Sequence, residues 1–272
     1  MTVPPDPTQW RQFLLIDKQS ICYLYHKPGE ESLTGEIDVT GVDEDGRLKA
    51  VENTVYNNPF LLDDYAATTI VVRAEAFSLL PNDYAEHPEA AVKAHKASRV
   101  ATDNDITVAT HGSLTAVWEM EQGLNNFLQR TYNSPVTLLH LQPLVSHFTA
   151  MSRMAIGTRL YLNFHGKDTL DIVVTDERST LQLANTVNLR DTSDAAYFAL
   201  NAWHQTARDD EAQILLTGDN DMRTAVAPLL KRYVANVKQA IAPAALIALG
   251  EAAVAMPLEL TACALDLTHT TP

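Results

Sequence analysis

The sequence is poor in basic residues relative to acidic ones. It has 20 Lys and Arg against 34 Asp and Glu, for a formal net charge of −14. Nucleic acids and anionic lipid surfaces are recognised through clustered positive charge, which this composition does not supply. We therefore expect no nucleic-acid partner and interpret the excess acid as a solvated surface.

Cysteine is scarce, and long apolar runs are lacking. Cys22 and Cys263 are the two cysteines, and no Cys/His spacing of a zinc site occurs, so we predict no metal. No stretch approaches the roughly 20 apolar residues that span a bilayer. The first ten residues hold three prolines and no apolar segment, unlike a signal peptide. We expect a cytoplasmic protein without membrane insertion.

The 272 residues suffice for two domains of roughly 130 residues each. Apolar residues predict three strands in a meander near the N-terminus, and a similar series begins after Gly157. The six predicted strands are Phe13–Ile16, Ile21–Tyr25 and Leu33–Val39, followed by Leu160–Phe164, Leu170–Val174 and Leu181–Val187. Each series precedes a helix, a strand, a second helix and another strand.

We therefore predict two lobes, residues 1–156 and 157–272, with the final helix able to pack back on the first lobe. The apolar spacing predicts helices over 74–80, 114–128, 226–237 and 257–265, and a last strand over 244–249. Ser113 is interpreted as the N-cap of the second of these helices. Leu229, Leu230, Tyr233 and Val237 are expected to bury one helical face against the strand Ile214–Leu216.

The segment Ile214–Asp219, a buried strand followed by Thr-Gly and an apolar helix, resembles the adenosine motif of the superfamily of actin and the sugar kinases. Over nearly its whole length the chain resembles a bacterial family of proteins with an actin-like ATPase fold and no assigned activity. This resemblance implies an α/β, duplicated actin-like (ribonuclease H-like) two-lobe fold, each lobe a mixed sheet with flanking helices. It also implies a nucleotide site between the lobes.

Three motif segments supply the candidate nucleotide-binding residues that the resemblance implies, and each departs from the superfamily pattern. The candidates are Asp17, Lys18, Ser20, Asn163, Gly166, Lys167, Thr217, Gly218 and Asp219. In the first turn Gln19 replaces the motif's glycine. In the second turn Asn163 replaces an aspartate, and the glycine is displaced by one position because His165 precedes Gly166. At the adenosine strand the second glycine is Asp219.

Other reactive side chains are given structural interpretations. His140 and His147 have no Cys or carboxylate at ligand spacing, which favours buried histidines over metal ligands. His111, Gly112 and Ser113 lack the spacing of a nucleophile elbow. We predict no catalytic residue, no metal and no cofactor.

The departures predict a non-enzymatic protein-interaction or scaffold protein on a degenerate actin-like ATPase fold, with an unidentified protein partner and no ATP binding. The alternative is a nucleotide-dependent enzyme, an ATPase or a phosphotransferase, with a divergent phosphate site. Lys18 and Lys167 favour this alternative because one lies in each turn and both could hold phosphate.

Overall fold

The computed structural model describes residues 3–42, 46–100, 102–207 and 209–268. The chain divides into two compact units, unit 1 (residues 1–143 with 244–272) and unit 2 (residues 144–243). The predicted boundary between residues 156 and 157 differs from this division, in which residues 144–156 belong to unit 2 and residues 244–272 to unit 1.

Unit 1 contains a mixed five-stranded sheet of strand order β3-β2-β1-β4-β8. The first three strands form an antiparallel meander, and β4 and β8 continue the sheet parallel to β1. The core of the sheet is fully buried along β1 and β2. Its strands are β1 (Arg11–Ile16), β2 (Ser20–His26), β3 (Leu33–Asp38), β4 (Ala67–Val72) and β8 (Val136–Leu139).

A second, three-stranded antiparallel sheet of order β5-β7-β6 is inserted between β4 and β8. Its strands are β5 (Phe77–Pro81), β6 (Asp105–His111) and β7 (Leu114–Met120). The helices predicted over 74–80 and 114–128 are therefore wrong over most of their length. Gly112 and Ser113 form the β6–β7 turn, with Gly112 at φ +58°, so Ser113 caps no helix. Spacings of three and four arose here because a strand and the helix from Leu124 follow one another closely.

The helices on unit 1 include the C-terminal one, which packs on β1 and β2. Arg73, just after β4, forms a buried ion pair with Glu259 of this last helix, with Nη2 2.5 Å from Oε1. The helices are α1 (Arg47–Asn57), α2 (Pro88–Ala97), α3 (Leu124–Thr131), α4 (Leu141–Ser152, which continues into unit 2), α7 (Ala244–Ile247), α8 (Glu251–Val254) and α9 (Leu258–Thr268). The strand predicted over 244–249 is wrong, since helix α7 begins that segment.

Unit 2 repeats the five-stranded order of unit 1, as β11-β10-β9-β12-β13. The repetition confirms the duplicated α/β fold that was predicted. The strands are β9 (Arg159–His165), β10 (Thr169–Thr175), β11 (Leu181–Asn188), β12 (Gln213–Gly218) and β13 (Val237–Gln239). Helices α5 (Thr192–Thr206) and α6 (Asn220–Leu230) pack on one face of the sheet.

Helix α6 lies upstream of its predicted position because Asp219 caps its start and Pro228 lies near its end. Proline lacks the N–H that continues a helix, and α6 ends two residues later. Leu230 is fully buried, whereas Tyr233 is 72% exposed and Val237 lies in β13. The prediction that these residues share one helical face was therefore wrong for Tyr233 and Val237.

We expect Leu230→Ala to lower the free energy of unfolding by about 2–5 kcal/mol, because its side chain fills the core between α6 and β12. Tyr233→Ala, three residues away and exposed, is the control and should change it by less than about 0.5 kcal/mol. Urea unfolding of both variants measures the difference. Similar costs for the two would contradict the placement of α6.

Within the described ranges, no helix combines the length and apolarity that crossing a bilayer requires.

Candidate functional site

The first candidate turn joins β1 to β2 in unit 1 and is closed by its own hydrogen bonds. The Asp17 N–H donates to Ser20 O at 3.0 Å, and Asp17 Oδ1 accepts from the Lys18 N–H at 2.7 Å. The carbonyl of Gln19, the residue in place of the motif's glycine, accepts from the Val39 N–H at 2.7 Å. A phosphate would therefore have to displace the Asp17 carboxylate to reach the Lys18 N–H.

Charges of both signs surround this first turn. The Lys18 ammonium pairs with the Glu75 carboxylate on the surface, and Arg47 Nη2 donates to Asp17 O at 3.2 Å. Burial lowers the pKa of the Arg47 guanidinium, and the nearby carboxylates of Asp17, Glu121 and Glu75 oppose that shift. Two cations against three carboxylates give these five side chains no positive excess with which to attract a triphosphate.

The second candidate turn joins β9 to β10 in unit 2. Gly166 lies there at φ +61°, a left-handed conformation that glycine adopts at little cost. Lys167 and Asp168 are exposed, and Asp168 O accepts from the Leu189 N–H at 2.7 Å. The glycine therefore serves the geometry of the hairpin.

A row of polar side chains crosses four strands of the unit 2 sheet, one residue per strand in register. Thr217 Oγ1 donates to Asn163 Oδ1 at 3.0 Å, and Asn163 Nδ2 donates to Asp171 Oδ2 at 3.1 Å. Thr186 Oγ1 donates to Asp171 Oδ1 at 2.8 Å. Asn163 and Asp171 are both buried, at 2% and 0% exposure. Both polar atoms of the Asn163 amide therefore have a hydrogen-bond partner within the protein, as buried polar groups usually do.

Gly218 ends β12 against the backbone of β9. Its φ is +81°, and a Cβ there would lie 2.0 Å from Phe164 O. The next residue continues this contact, because the Asp219 N–H donates to Phe164 O at 2.9 Å. The space that a missing side chain leaves at Gly218 is therefore occupied by the chain's own β9 backbone.

Asp219 is the N-cap of α6, as expected from a carboxylate at this position. Its Oδ1 accepts from the Met222 N–H at 2.8 Å. The positive end of a helix normally attracts an anion, and here an internal carboxylate already fills that role. Asp221 in the first turn of α6 adds a second negative charge.

The candidate residues form two groups, one in each unit. Asp17, Lys18 and Ser20 share one turn in unit 1. In unit 2 the ends of β9 and β12 bring Asn163, Thr217, Gly218 and Asp219 together, and Gly166 with Lys167 follows β9 in the adjoining turn.

Sequence reasoning missed Asp171, Thr186 and Arg47. Asp171 had a visible signal, since it is a single carboxylate between Leu170 and Ile172 in a strand that is otherwise apolar. A strand whose two faces are both buried must satisfy such a group internally. Arg47 carried no such signal, because a basic residue at the start of a helix is usually a surface residue.

The histidines considered in the sequence analysis either pack in the core or form a contact near the surface. The rings of His140 and Phe77 meet edge to face at 5.9 Å between centroids, and both His140 and His147 are buried. His111 Nε2 lies 2.9 Å from Asp266 Oδ2. Among the described residues, no three His, Cys, Asp or Glu side chains are grouped as metal ligands would be.

A Ser–His–Glu arrangement that sequence reasoning did not find lies in the small sheet of unit 1. His95 Nδ1 is 2.8 Å from Ser78 Oγ, and its Nε2 is 3.4 Å from Glu119 Oε1. Glu119 is held by Thr102 and Asn104 at 2.6 and 3.2 Å. His95 belongs to α2 and is only 1% exposed, where that helix packs on the small sheet. A serine nucleophile needs an open face for its substrate, so we interpret this arrangement as a tie between α2 and its sheet.

Burial of His95 predicts a pH dependence of stability. Desolvation lowers the pKa of His95 in spite of Glu119, and burial lowers the pKa of His26 as well. The unfolded chain then binds protons below about pH 6.5 that the folded chain does not. Stability should therefore fall as the pH drops from about 6.5 through the folded pKa values.

His95→Gln should reduce this slope, and His26→Gln/His95→Gln should reduce it further, because burial lowers the pKa of both histidines. Urea unfolding at a series of pH values from 7.5 to about 5 measures it. An unaltered slope in His95→Gln would contradict the assignment of this pH dependence to His95.

An open groove lies between α1 and α3 in unit 1. One part of it, of about 360 Å³, is lined by Tyr56, Leu62 and Phe127 together with Arg130 and Thr131. A second part, of about 440 Å³, lies next to it and also includes Arg130. The groove is shallow and contains none of the candidate motif residues.

A family model of proteins of unknown function, DUF3822, matches residues 14–237. This chain belongs to that family. No match was found among curated proteins. The family match runs from within β1 to the first residue of β13 and so includes nearly all of both five-stranded sheets.

Solved structures show the same fold. A protein from Bacteroides thetaiotaomicron with an actin-like ATPase fold and unknown function is 19% identical, with a TM-score of 0.76 over 86% of this chain and 91% of that one. A chain of the PilM–PilN type IV pilus biogenesis complex is 13% identical, with a TM-score of 0.57 over 98% and 100%. At these identities the likeness shows the actin-like fold alone.

Proposed function

We propose that this member of the family is a protein-binding scaffold on an actin-like ATPase fold that has given up nucleotide binding. The observation that carries the proposal is the internal use of the motif positions. Gly218 is packed on Phe164, Asp219 caps α6, and the amide of Asn163 is held in a buried row. At each of these positions a group of the motif residue is already engaged within unit 2.

Electrostatics supports the same proposal. A triphosphate carries several negative charges, and the chain has a formal net charge of −14. The first turn has no positive excess among its five charged side chains, and Asp219 and Asp221 stand at the start of α6. An anion approaching either group of motif residues would meet carboxylates, which slows and weakens its capture.

A protein ligand is the class of partner that the fold and its neighbours favour. Superfolds carry many functions, and a scaffold without its catalytic groups retains its surfaces. One chain of the PilM–PilN type IV pilus biogenesis complex has this fold. We place the protein in the cytoplasm, on the basis of its composition.

Two measurements on the full chain test the proposal. Purified protein should release no phosphate from Mg·ATP above the rate of a buffer blank. Affinity purification from the native cell should return a stoichiometric partner whose retention is the same with and without Mg·ATP. Saturable ATP hydrolysis that is lost in Lys18→Ala or Lys167→Ala would support the nucleotide-dependent enzyme instead.

A further inference from the structure

The outer edge of β11 in unit 2 differs from the outer edge of β3, the equivalent strand of unit 1. β11 and β3 are the equivalent edge strands of two sheets of identical order. The eight residues of β11, Leu181–Asn188, include no charged side chain and no proline. β3 contains Glu36 and Asp38 among its six residues. Charges on an edge strand are a common protection against pairing with another chain.

A second protection is also present at β3. Helix α8 lies against β3, and the Ser32 N–H, next to the strand, donates to Leu249 O at 2.9 Å. The contact there is close, since a Cβ on Gly250 would meet Glu31 Cγ at 2.5 Å. Residues 249–254 thus cover the end of β3 within unit 1.

β11 has no such charges, and the helix that contacts it, α5, packs on the face of the sheet with Leu183 and Val187. In the part of the chain that the structure describes, β11 pairs with β10 and with no other strand. Leu183 and Val187 are only partly buried at this edge, and Gln182, Asn185 and Asn188 are exposed. The register irregularity between β10 and β11 falls at Leu181–Leu183, which leaves the rest of β11 regular. The Thr186 N–H, which points away from β10, donates to Asn185 Oδ1 at 2.9 Å, so an added strand must displace that side chain. The rest of this regular, uncharged edge is a template for strand addition.

We propose that β11 is an interaction edge at which a second copy of this chain adds its own β11, antiparallel, to extend the sheet. The charge pattern selects this occupant. A heterologous partner of a chain with net charge −14 would be expected to be basic, and an edge that recognised it would carry acids. Two copies of an acidic chain instead need an edge free of charge, because like charges directly opposite one another are destabilising.

The pairing has a defined register under twofold symmetry. An axis perpendicular to the sheet keeps side chains on the same face, so paired residue numbers must have an even sum. Centred on Asn185, the pairing places Leu183 opposite Val187 of the second copy and joins their partly exposed apolar surfaces. This proposal is independent of the proposed function and holds whether or not the protein binds nucleotide.

Sedimentation equilibrium of the full chain tests the proposal. Wild-type protein should show a concentration-dependent species of twice the 30.0 kDa chain mass. Asn185→Lys/Asn188→Lys places positive charges along the proposed junction and should remain monomeric at concentrations where wild type is dimeric. Asn201→Lys/Gln205→Lys, at exposed positions of α5, makes the same change in charge and should dimerise like wild type. Unchanged circular dichroism establishes that both variants fold.

A cross-link reports the register directly. Leu183→Cys/Val187→Cys should give an intermolecular disulfide on mild oxidation, because opposed strand positions have Cβ atoms about 4.5–5.5 Å apart. Asn201→Cys/Gln205→Cys should not. The proposal is overturned if wild type stays monomeric up to its solubility limit, if the β11 variant dimerises normally, or if the α5 control loses the dimer as well. It is also overturned if β11 instead captures a different protein while the chain remains monomeric.

Discussion

Gly218→Ala should destabilise the protein by about 4 kcal/mol or more, or prevent unit 2 from folding. Two costs combine at this position. The residue has φ +81°, which disfavours any side chain, and the new Cβ would lie 2.0 Å from Phe164 O and 2.7 Å from Phe164 N. The β9 backbone cannot retreat easily, because Phe164 O also accepts the Asp219 N–H at 2.9 Å.

Gly166→Ala is the matched control for the backbone conformation. Its φ is also positive, at +61°, but the nearest atom to a new Cβ is Asp168 Oδ1 at 3.8 Å. Its cost should therefore be the conformational one alone, about 1–2 kcal/mol. Urea unfolding of the two variants separates the steric contribution. Equal costs would contradict the close packing of Gly218 on β9 and would leave its glycine available for a ligand.

Asn163→Asp should destabilise the protein by about 3–5 kcal/mol at neutral pH, the range for an uncompensated buried charge. The substitution restores the carboxylate of the superfamily motif. It also replaces the donor Nδ2, 3.1 Å from Asp171 Oδ2, with a second carboxylate oxygen. Two carboxylates at that distance in a buried site cannot both stay ionised.

The effect of Asn163→Asp should depend on pH in a defined direction. In the folded Asn163→Asp variant, the two neighbouring carboxyl groups would have a pKa raised above the unfolded value of about 3.9. The folded variant would therefore bind one proton that the unfolded chain releases. The loss of stability should therefore shrink as the pH falls toward 4. Asn201→Asp, at an exposed position of α5 in the same unit, should change stability by less than about 0.5 kcal/mol. A stable Asn163→Asp variant at pH 7 would show that the site accommodates a carboxylate and would revive the enzyme alternative.

The two five-stranded sheets were predictable because their strands are continuous apolar runs or clear alternations. Phe13–Ile16 and Leu170–Val174 are of this kind, and turn residues separate them from the next strand. The duplicated order then followed from six strands of the same type. The structure confirms this part of the prediction in the order of the sheets.

The small sheet of unit 1 was not predictable by periodicity. Leu114, Val117 and Leu124 have helical spacing, but the first two lie in β7 and the third in α3. A hairpin at Gly112 overrides the spacing, because the chain reverses there and pairs β6 with β7. Helix α6 also begins earlier than the apolar spacing predicted. Its start is fixed by the N-cap Asp219, and the apolar residues after Leu230 do not extend it.

The candidate site stays a prediction, and the sequence could not give the contacts of its residues. Asn163 and Gly218 were chosen because their segments resemble motifs of the actin and sugar-kinase superfamily. Sequence reasoning could not show that Asn163 binds Asp171, because that contact depends on the register between β9 and β10. The role of a motif residue depends on the residue opposite it on the next strand, and a single sequence does not show which residue that is.

We propose that this protein does not bind Mg·ATP, and a thermal-shift titration of the full chain tests this proposal most directly. A ligand at about 100 times its Kd stabilises by about 2.7 kcal/mol, and each kcal/mol raises the Tm of a chain of this size by roughly 2–4 °C. Binding in the tens of micromolar would thus raise the Tm by several degrees at millimolar nucleotide. The account predicts no rise beyond that caused by magnesium with tripolyphosphate. A saturable rise specific to Mg·ATP, lost in Lys18→Ala or Lys167→Ala, would contradict it.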